Sequence, residues 1–247
     1  MKILITGGPT NEPIDEIMKI TNMSTGGMAV SLGRLFLDAN YDVVLVLNNS
    51  VRALEDDNLR IVRVETADEM LSAIKREAES DDIDAIIHAS AVGDYKADFT
   101  FLMEDMADEI FKKISKVKSA DDILKILQDP KCKIDNSSKI SSYQKDLTVK
   151  LTLTPKIIKD LRFLFPKSLL VGFKLLDDVN KGELFDVATA LCNKNDMDYI
   201  LANDLNDLKK GHNERYLINK DGFTEMILTD YEEIHKLIDD ELKHRGK

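Results

Sequence analysis

Residues 2–30 read KILITGGPTNEPIDEIMKITNMSTGGMAV, and the fold is decided in this stretch. Lys2–Thr6 is a short apolar-centred run of the kind that a parallel sheet buries on both faces. It runs straight into Gly7-Gly8, and after a polar stretch a second glycine pair, Gly26-Gly27, opens the apolar helix MAVSLGRLFL. Ser24 or Thr25 is the expected N-cap of that helix. A strand, a glycine turn and a helix start in this order suit an anion, because glycine frees backbone N–H groups and the helix contributes its positive end. Tight turns alone would also account for the glycines.

The same rhythm continues outward. Val43–Leu47 and Ile61–Val64 read as strands, and Thr66-Ala67-Asp68-Glu69 is a capping box ahead of a helix with Met70, Leu71, Ile74 and Ala78 on one side. Asp84–Ala89 is a further buried strand, and Leu147–Leu153 alternates with period two. Pro155 is expected in the first turn of a helix KIIKDLRFLF. Leu169–Phe173 and Tyr199–Ala202 are strands separated by a helix over Glu183–Lys194. Arg215–Asn219 and Glu225–Leu228 flank Lys220-Asp221-Gly222, a hairpin signal, and Thr229 is expected to cap a last helix. Alternating strands and helices predict an α/β, Rossmann-like, open and mostly parallel sheet with helices on both faces. A single domain over 1–247 is expected, with a helical insertion at 96–138, too small for a core of its own, and a flap and strand at 139–155.

Composition narrows the function. The 247 residues are 43% hydrophobic and carry a net charge of −11, which speaks against nucleic acid as a partner. No apolar run approaches the roughly 18–20 residues needed to span a bilayer, and no leader pattern opens the chain, so a cytoplasmic protein without membrane contact is expected. Cys132 and Cys192 stand far apart and are read as reduced thiols, a disulfide being the alternative. The histidines lack metal-ligand spacing. Seven basic residues lie between Lys139 and Lys167 against Asp146 and Asp160, either a solvated helix face or a pocket for a small polyanion.

In an open parallel sheet, ligands sit beyond the carboxyl ends of the strands. The first strand ends GGPTNEP where a dinucleotide fold wants GxGxxG, and the second ends Leu47-Asn48-Asn49 without the ribose-binding acid. An NAD(P)-dependent reductase is therefore disfavoured, and the P-loop pattern is missing as well. The fourth strand runs into His88-Ala89-Ser90-Ala91-Val92-Gly93-Asp94-Tyr95, where small residues admit a flat ring or sugar and Asp94 offers a carboxylate to a cation or hydroxyl.

Taken in order, ITGGPTNEPIDEIMKITNMSTGGMA, HASAVGDY, KISS, LTPKII, VGFKLL and ILANDL resemble the phosphopantothenoylcysteine synthetase (phosphopantothenate–cysteine ligase) family, in its stand-alone streptococcal and enterococcal form, over nearly the whole chain. The resemblance implies a ligase that joins 4′-phosphopantothenate to L-cysteine in coenzyme A synthesis. The substrate carboxylate is activated by a nucleoside triphosphate, CTP in preference to ATP, with Mg²⁺, through an acyl-nucleotide. It implies catalytic roles for Asn22, at the acyl-nucleotide, and for Lys139, on a mobile flap at the triphosphate. Ser90, Ala91, Asp94, Pro155, Lys156, Ile157, Ile158, Phe173 and Lys194 would join Lys139 around the nucleotide, with Asp94 near the metal. Gly8, Thr10, Ser24 and Gly26 would join Asn22 around the phosphorylated substrate. A homodimer is implied, together with a separate flavin-dependent decarboxylase acting next. The chain departs from the family where KISS stands for the commoner KIKK, where Thr189-Ala190 stands for a lysine, and where a glycine of STGGMA replaces a lysine. The alternative from another class is a non-catalytic nucleotide-binding regulator on the same fold.

Overall fold

The computed structural model describes residues 1–246 apart from 54, 81 and 137. In chain order the elements are β1 (Lys2–Gly7), β2 (Asn11–Pro13), β3 (Lys19–Thr21), α1 (Gly27–Asp38), β4 (Asp42–Asn48), β5 (Leu59–Val64), α2 (Ala67–Ser80) and β6 (Ala85–His88). They continue as β7 (Tyr95–Leu102), α3 (Met103–Lys113), α4 (Ala120–Gln128), β8 (Leu147–Leu153), α5 (Ile158–Leu164), β9 (Leu169–Leu176) and α6 (Lys181–Lys194). The chain closes with β10 (Tyr199–Asp204), α7 (Leu205–Lys209), β11 (Arg215–Asn219), β12 (Gly222–Leu228) and α8 (Tyr231–Arg245). These fall into two compact units, Met1–Thr10 with Asn22–Val92 and Pro155–Lys247, and Asn11–Thr21 with Gly93–Thr154.

The first unit is the expected α/β fold. Its eight strands lie in the order β12-β11-β10-β9-β6-β1-β4-β5. From β5 to β10 all neighbours are parallel, and only β11 and β12 run antiparallel. Successive residues of β1 feed opposite cores: Ile3 and Ile5 pack with α1 and α8, whereas Leu4 packs with α2, α5 and α6. That is why KILIT carries no polar alternation. The chain leaves β1 toward β4 on one side and returns to β6 on the other, so the topological switch point falls between β1 and β6.

The caps refine the sequence reading. Around Thr66 the capping box forms as expected: Thr66 Oγ1 accepts the Glu69 N–H at 3.2 Å, and Glu69 Oε2 accepts the Glu65 and Thr66 N–H groups. At α1 neither Ser24 nor Thr25 is the N-cap; Gly26 is, in the left-handed region at φ 71°. At α8 the cap moves from Thr229 to Asp230, whose carboxylate accepts the Glu233 N–H, because Thr229 spends its N–H and hydroxyl on the Glu233 carboxylate. Pro155 precedes the helix rather than opening it. Ile157 sinks into the core and a tight turn from Lys156 to Lys159 comes first, so α5 starts at Ile158.

The second unit holds what the sequence reading treated as insertion and flap. Residues 95–102 form a strand that was not expected, β7, paired antiparallel with β8 from Tyr95↔Leu153 to Leu102↔Leu147. A bulge between Ala97 and Phe99 breaks the alternation that would have announced it. Contrary to expectation the unit has a small core of its own, in which Phe99, Phe101 and Met106 are buried. Glu109 ties α3 to the chain after α4: its carboxylate meets the Lys113 ammonium and accepts the N–H groups of Lys131 at 2.7 Å and Cys132 at 3.0 Å. The hairpin β2–β3 completes the unit.

Two outcomes test these contacts. Because a Cβ on Gly7 would lie 2.2 Å from the Ala29 Cβ, Gly7→Ala is expected to lower stability by about 1–3 kcal/mol, read from the urea midpoint. The Lys113 ammonium and the two amides hold the Glu109 carboxyl down at about 2, against an ordinary 4.5. The stabilisation it gives is complete above pH 4.5 and is lost as pH falls toward 2, so exchange protection of the Lys131 and Cys132 amides should fade across that window and not above it.

Candidate active site

The carboxyl edge of the sheet is shaped by missing side chains. Gly7 lets α1 press against the end of β1. Gly8, at φ 84°, and Gly26 both close over Val51: a Cβ on either would come within 2.7 Å of its methyl groups. Gly26 also approaches Gly8 itself, its notional Cβ falling 3.1 Å from the Gly8 nitrogen. The two glycine pairs of the opening sequence therefore meet. Val51 is fixed from below by Arg63, whose guanidinium donates to the carbonyls of Asn48 at 3.0 Å and Val51 at 2.7 Å.

Here α1 begins without a side-chain cap. Ser24 and Thr25 fold back onto the N–H groups of Gly26 and Gly27, at 3.4 and 3.3 Å, and no acidic residue occupies the first turn. A helix start with its inner amides uncapped and no acidic residue in its first turn is suited to a phosphate or carboxylate.

Across the switch point the loop after β6 is laced to the loop after β1. The Ala91 N–H donates to the Gly8 carbonyl at 2.9 Å, the Thr10 N–H donates back to Ala91, and Ala89 donates to Thr6. Asn22 closes the same seam: its Nδ2 donates to the carbonyls of Val92 at 3.1 Å and Ala91 at 3.4 Å. The side-chain amide is thereby tied to the loop, which gives Asn22 a bracing role. Gly8, Thr10, Asn22, Ser24, Gly26, Ser90 and Ala91 are thus brought together in the first unit.

Beneath the loop lies a buried pair that the sequence reading left unassigned. Thr6 Oγ1 and His88 Nδ1 are 2.9 Å apart, and the same hydroxyl accepts the Ser90 N–H at 3.3 Å. A buried hydroxyl keeps its own hydrogen satisfied by donating to Nδ1, which puts the imidazole proton on Nε2. Burial pushes the His88 pKa down to about 4, so the ring is neutral near pH 7. Ser90 Oγ is buried without a hydrogen-bond partner among the described residues, a polar atom left over at the carboxyl edge. Its sequence signal was the strand end itself; that of His88 was only its place as the last residue of β6.

The other predicted residues divide. Ile157 is buried core and Ile158 packs beside it, below Gly172. Phe173 is not a strand end, because β9 continues to Leu176; it pairs with Leu201 and packs on the α1–α8 side of the sheet. Lys194 ends α6, the helix that returns the chain to the amino-terminal edge where β10 begins, so it is not brought to the carboxyl edge. Pro155 and Lys156 lie between β8 and α5.

Asp94 and Lys139 belong to the second unit. Thr154 fastens the start of β7 there, its N–H donating to the Asp94 carbonyl at 3.1 Å and its hydroxyl to the Gly93 carbonyl. Lys139 is exposed, while its neighbour Ile140 is buried and donates its N–H to Asp15 Oδ2 at 2.9 Å. Among the described residues no group of three or more His, Cys, Asp or Glu is placed to hold a metal ion. Cys132 and Cys192 are both free thiols, and burial pushes the Cys192 pKa up to about 11. No described helix is long and apolar enough to cross a membrane.

The model of the DNA/pantothenate metabolism flavoprotein C-terminal domain matches residues 1–131 and 103–244. The coenzyme A biosynthesis bifunctional protein CoaBC of Thermococcus kodakarensis is 29% identical over 221 residues, covering 89% of this chain and 45% of that protein. The CoaBC protein of Methanocaldococcus jannaschii is 28% identical over 222 residues, again 89% of this chain and 45% of that protein. The chain thus spans less than half the length of these relatives. The crystal structure of the DNA/pantothenate metabolism flavoprotein from Streptococcus pneumoniae superposes with a TM-score of 0.77 at 28% identity, covering 99% of both chains. A Cab2 mutant in complex with phosphopantothenate-cysteine shares the fold, with a TM-score of 0.65 at 15% identity over 99% of this chain and 85% of that one.

If Asn22 braces the loop after β6, its acid and alanine variants must differ. Asn22→Ala is expected to cost about 1 kcal/mol, since the released carbonyls turn to water. Asn22→Asp sets a carboxylate against two carbonyl oxygens and should cost more, with the difference read from paired urea melts at pH 7.

Proposed function

The chain belongs to the family of the DNA/pantothenate metabolism flavoprotein C-terminal domain, and on that footing we propose that it is a phosphopantothenate–cysteine ligase of coenzyme A synthesis. In this reading the carboxylate of 4′-phosphopantothenate attacks the α-phosphorus of a nucleoside triphosphate, CTP in preference to ATP. Pyrophosphate leaves and a mixed anhydride remains. The amine of L-cysteine then attacks the acyl carbon, loses a proton, and expels the nucleoside monophosphate as the amide forms. Activation is needed because a carboxylate is a poor acylating group, whereas its phosphoric anhydride carries a good leaving group.

The observation that supports this reading best is the uncapped start of α1 beside the paired glycines, at the switch point of a parallel sheet. Two reactants that both carry negative charge need donors that add no negative charge of their own. The uncapped amides in the first turn of α1, just after Gly26, fit the phosphate or carboxylate of the substrate. Lys139 supplies the cation for the triphosphate. The donor set also fits Mg²⁺ in one particular way. The described residues offer no protein-built cage, and Mg²⁺ that arrives on a nucleotide asks only one or two carboxylates of the protein, a part assigned to Asp94. Bound there, the ion would offset the charge of the phosphates. The reading further assigns the chain to a homodimer and its product to a flavin-dependent decarboxylase.

The test is pyrophosphate release from CTP or ATP, with and without 4′-phosphopantothenate and cysteine. Release should require phosphopantothenate and differ at least tenfold between the nucleotides, about 1.4 kcal/mol. Lys139→Ala should slow this first step, and Asn22→Ala should impair handling of the anhydride, so that acyl-nucleotide accumulates or goes unconverted. A protein that binds nucleotide yet never releases pyrophosphate would be a regulator, and the proposal would fall.

A further inference from the structure

The lysine-bearing segment of the second unit has very little to hold it. Residues 138–145 form neither helix nor strand, and Tyr143 in their midst is almost fully exposed. Their internal hydrogen bonds are local, from the N–H groups of Tyr143 and Gln144 to Ser141. Among the described residues, the one hydrogen bond that ties this stretch to anything outside it is the Ile140 N–H to Asp15 Oδ2, at 2.9 Å. It spans 125 positions of sequence.

Asp15 is built to receive that bond. It sits in the turn between β2 and β3, only 6% exposed, and its other oxygen accepts the N–H groups of Ile17 at 2.8 Å and Met18 at 2.6 Å. The hairpin itself is closed by Ile14 donating to the Met18 carbonyl at 2.8 Å. One carboxylate therefore orders the turn with one oxygen and holds the lysine segment with the other. Ile140, whose N–H makes that bond, is also only 6% exposed. The three amides depress the Asp15 pKa, and the charge of Lys139 lowers it further, which marks the ammonium as part of the carboxylate's surroundings.

We propose that Asp15 is a positioning residue, whose carboxylate latches Ile140 to the β2–β3 turn and so fixes where the chain presents Lys139. The inference rests on the reading of Lys139 as the cation of the activation step. Asp15 touches no reactant in this account; it acts through the backbone of the residue that follows the lysine. With the latch closed, Lys139 leaves a chain whose next residue is fixed, and its ammonium explores a smaller volume. With the latch open, the stretch from 138 to 145 is less restrained, and ordering it again for each turnover costs conformational entropy.

The experiment is a double-mutant cycle on the full chain, following pyrophosphate release from CTP and 4′-phosphopantothenate with wild type, Asp15→Asn, Lys139→Ala and the double variant. Asp15→Asn should lower kcat at least tenfold in the wild-type background and less than twofold when Lys139 is already gone, with KM for phosphopantothenate little changed. Trypsin should also cut after Lys139 at least fivefold faster in Asp15→Asn. An impaired Lys139→Ala combined with equal losses from Asp15→Asn in both backgrounds would overturn the latch while leaving the reading of Lys139 intact. A fully active Lys139→Ala would instead overturn that reading and the catalytic half of the inference with it. Should Asp15→Asn not fold, amide exchange in the unaltered protein decides: Ile140 should exchange at least tenfold more slowly than Ser141 and Ser142, and equal rates would remove the latch.

Discussion

The candidate site depends on one steric constraint, the approach of α1 to the end of β1. At Gly7 the helix comes so near that the Cβ of Ala29 occupies the place where a side chain would start. At Gly8 and Gly26 the same closeness is achieved in left-handed backbone, with Val51 filling the space below. Each glycine gives up conformational freedom on folding, a cost of roughly 0.5–1 kcal/mol relative to alanine in regular structure. What is gained is a close approach of the α1 start to the end of β1 at the switch point. Arg63 makes the arrangement rigid by gripping the carbonyls on either side of the Asn48–Val51 turn. The constraint thus passes from β5 through Val51 to the glycines, and from them to the start of α1.

The two edges of the sheet treat charge in opposite ways. At the amino edge charges are paired with one another: Asp198 meets both Arg162 and Arg245 at 2.7 Å, and Arg162 also donates to the carbonyls of Asp196 and Ser168. That cluster spends its charges on itself and fastens α5, β10 and α8 together. At the carboxyl edge, the groups that lace the loops after β1 and β6 are neutral. Thr6, His88, Asn22 and the amides of Ala89, Ala91 and Thr10 brace one another without any formal charge. Neutral donors leave the local potential to the helix start, and an entering anion meets no carboxylate among these braces.

Much of this was legible because burial and hydrogen bonding in a parallel sheet act on short, contiguous stretches. KILIT, DVVLVLN and AIIH declare themselves by unbroken apolar character, and the switch point follows from their order. The unread parts depend on contacts distant in sequence. β7 was hidden by its bulge and by an exposed first half. Lys194 was matched by its neighbours in sequence, yet its edge of the sheet is set by the direction in which α6 returns. Phe173 looked like a strand end because the apolar run VGF pauses at Lys174, although the hydrogen bonding carries on to Leu176. Asp15 gave no signal at all. A carboxylate in a turn is commonplace, and only folding brings Ile140 to its second oxygen.

These features answer an apparent contradiction, that a chain with a net charge of −11 is assigned two anionic reactants. Net charge governs steering at long range, and at physiological ionic strength that influence is screened within about 8 Å. Inside that distance the potential belongs to whatever lies nearest. At the glycine pairs the nearest groups are amide dipoles and a helix start; at 138–145 the segment offers Lys139 and Lys145 and no acid. A global excess of carboxylates is therefore compatible with local anion binding, provided the carboxylates near the site are occupied elsewhere. Asp15 meets that condition by spending both oxygens on backbone amides, so a negative charge beside Lys139 orders the segment without claiming the ammonium for an ion pair of its own.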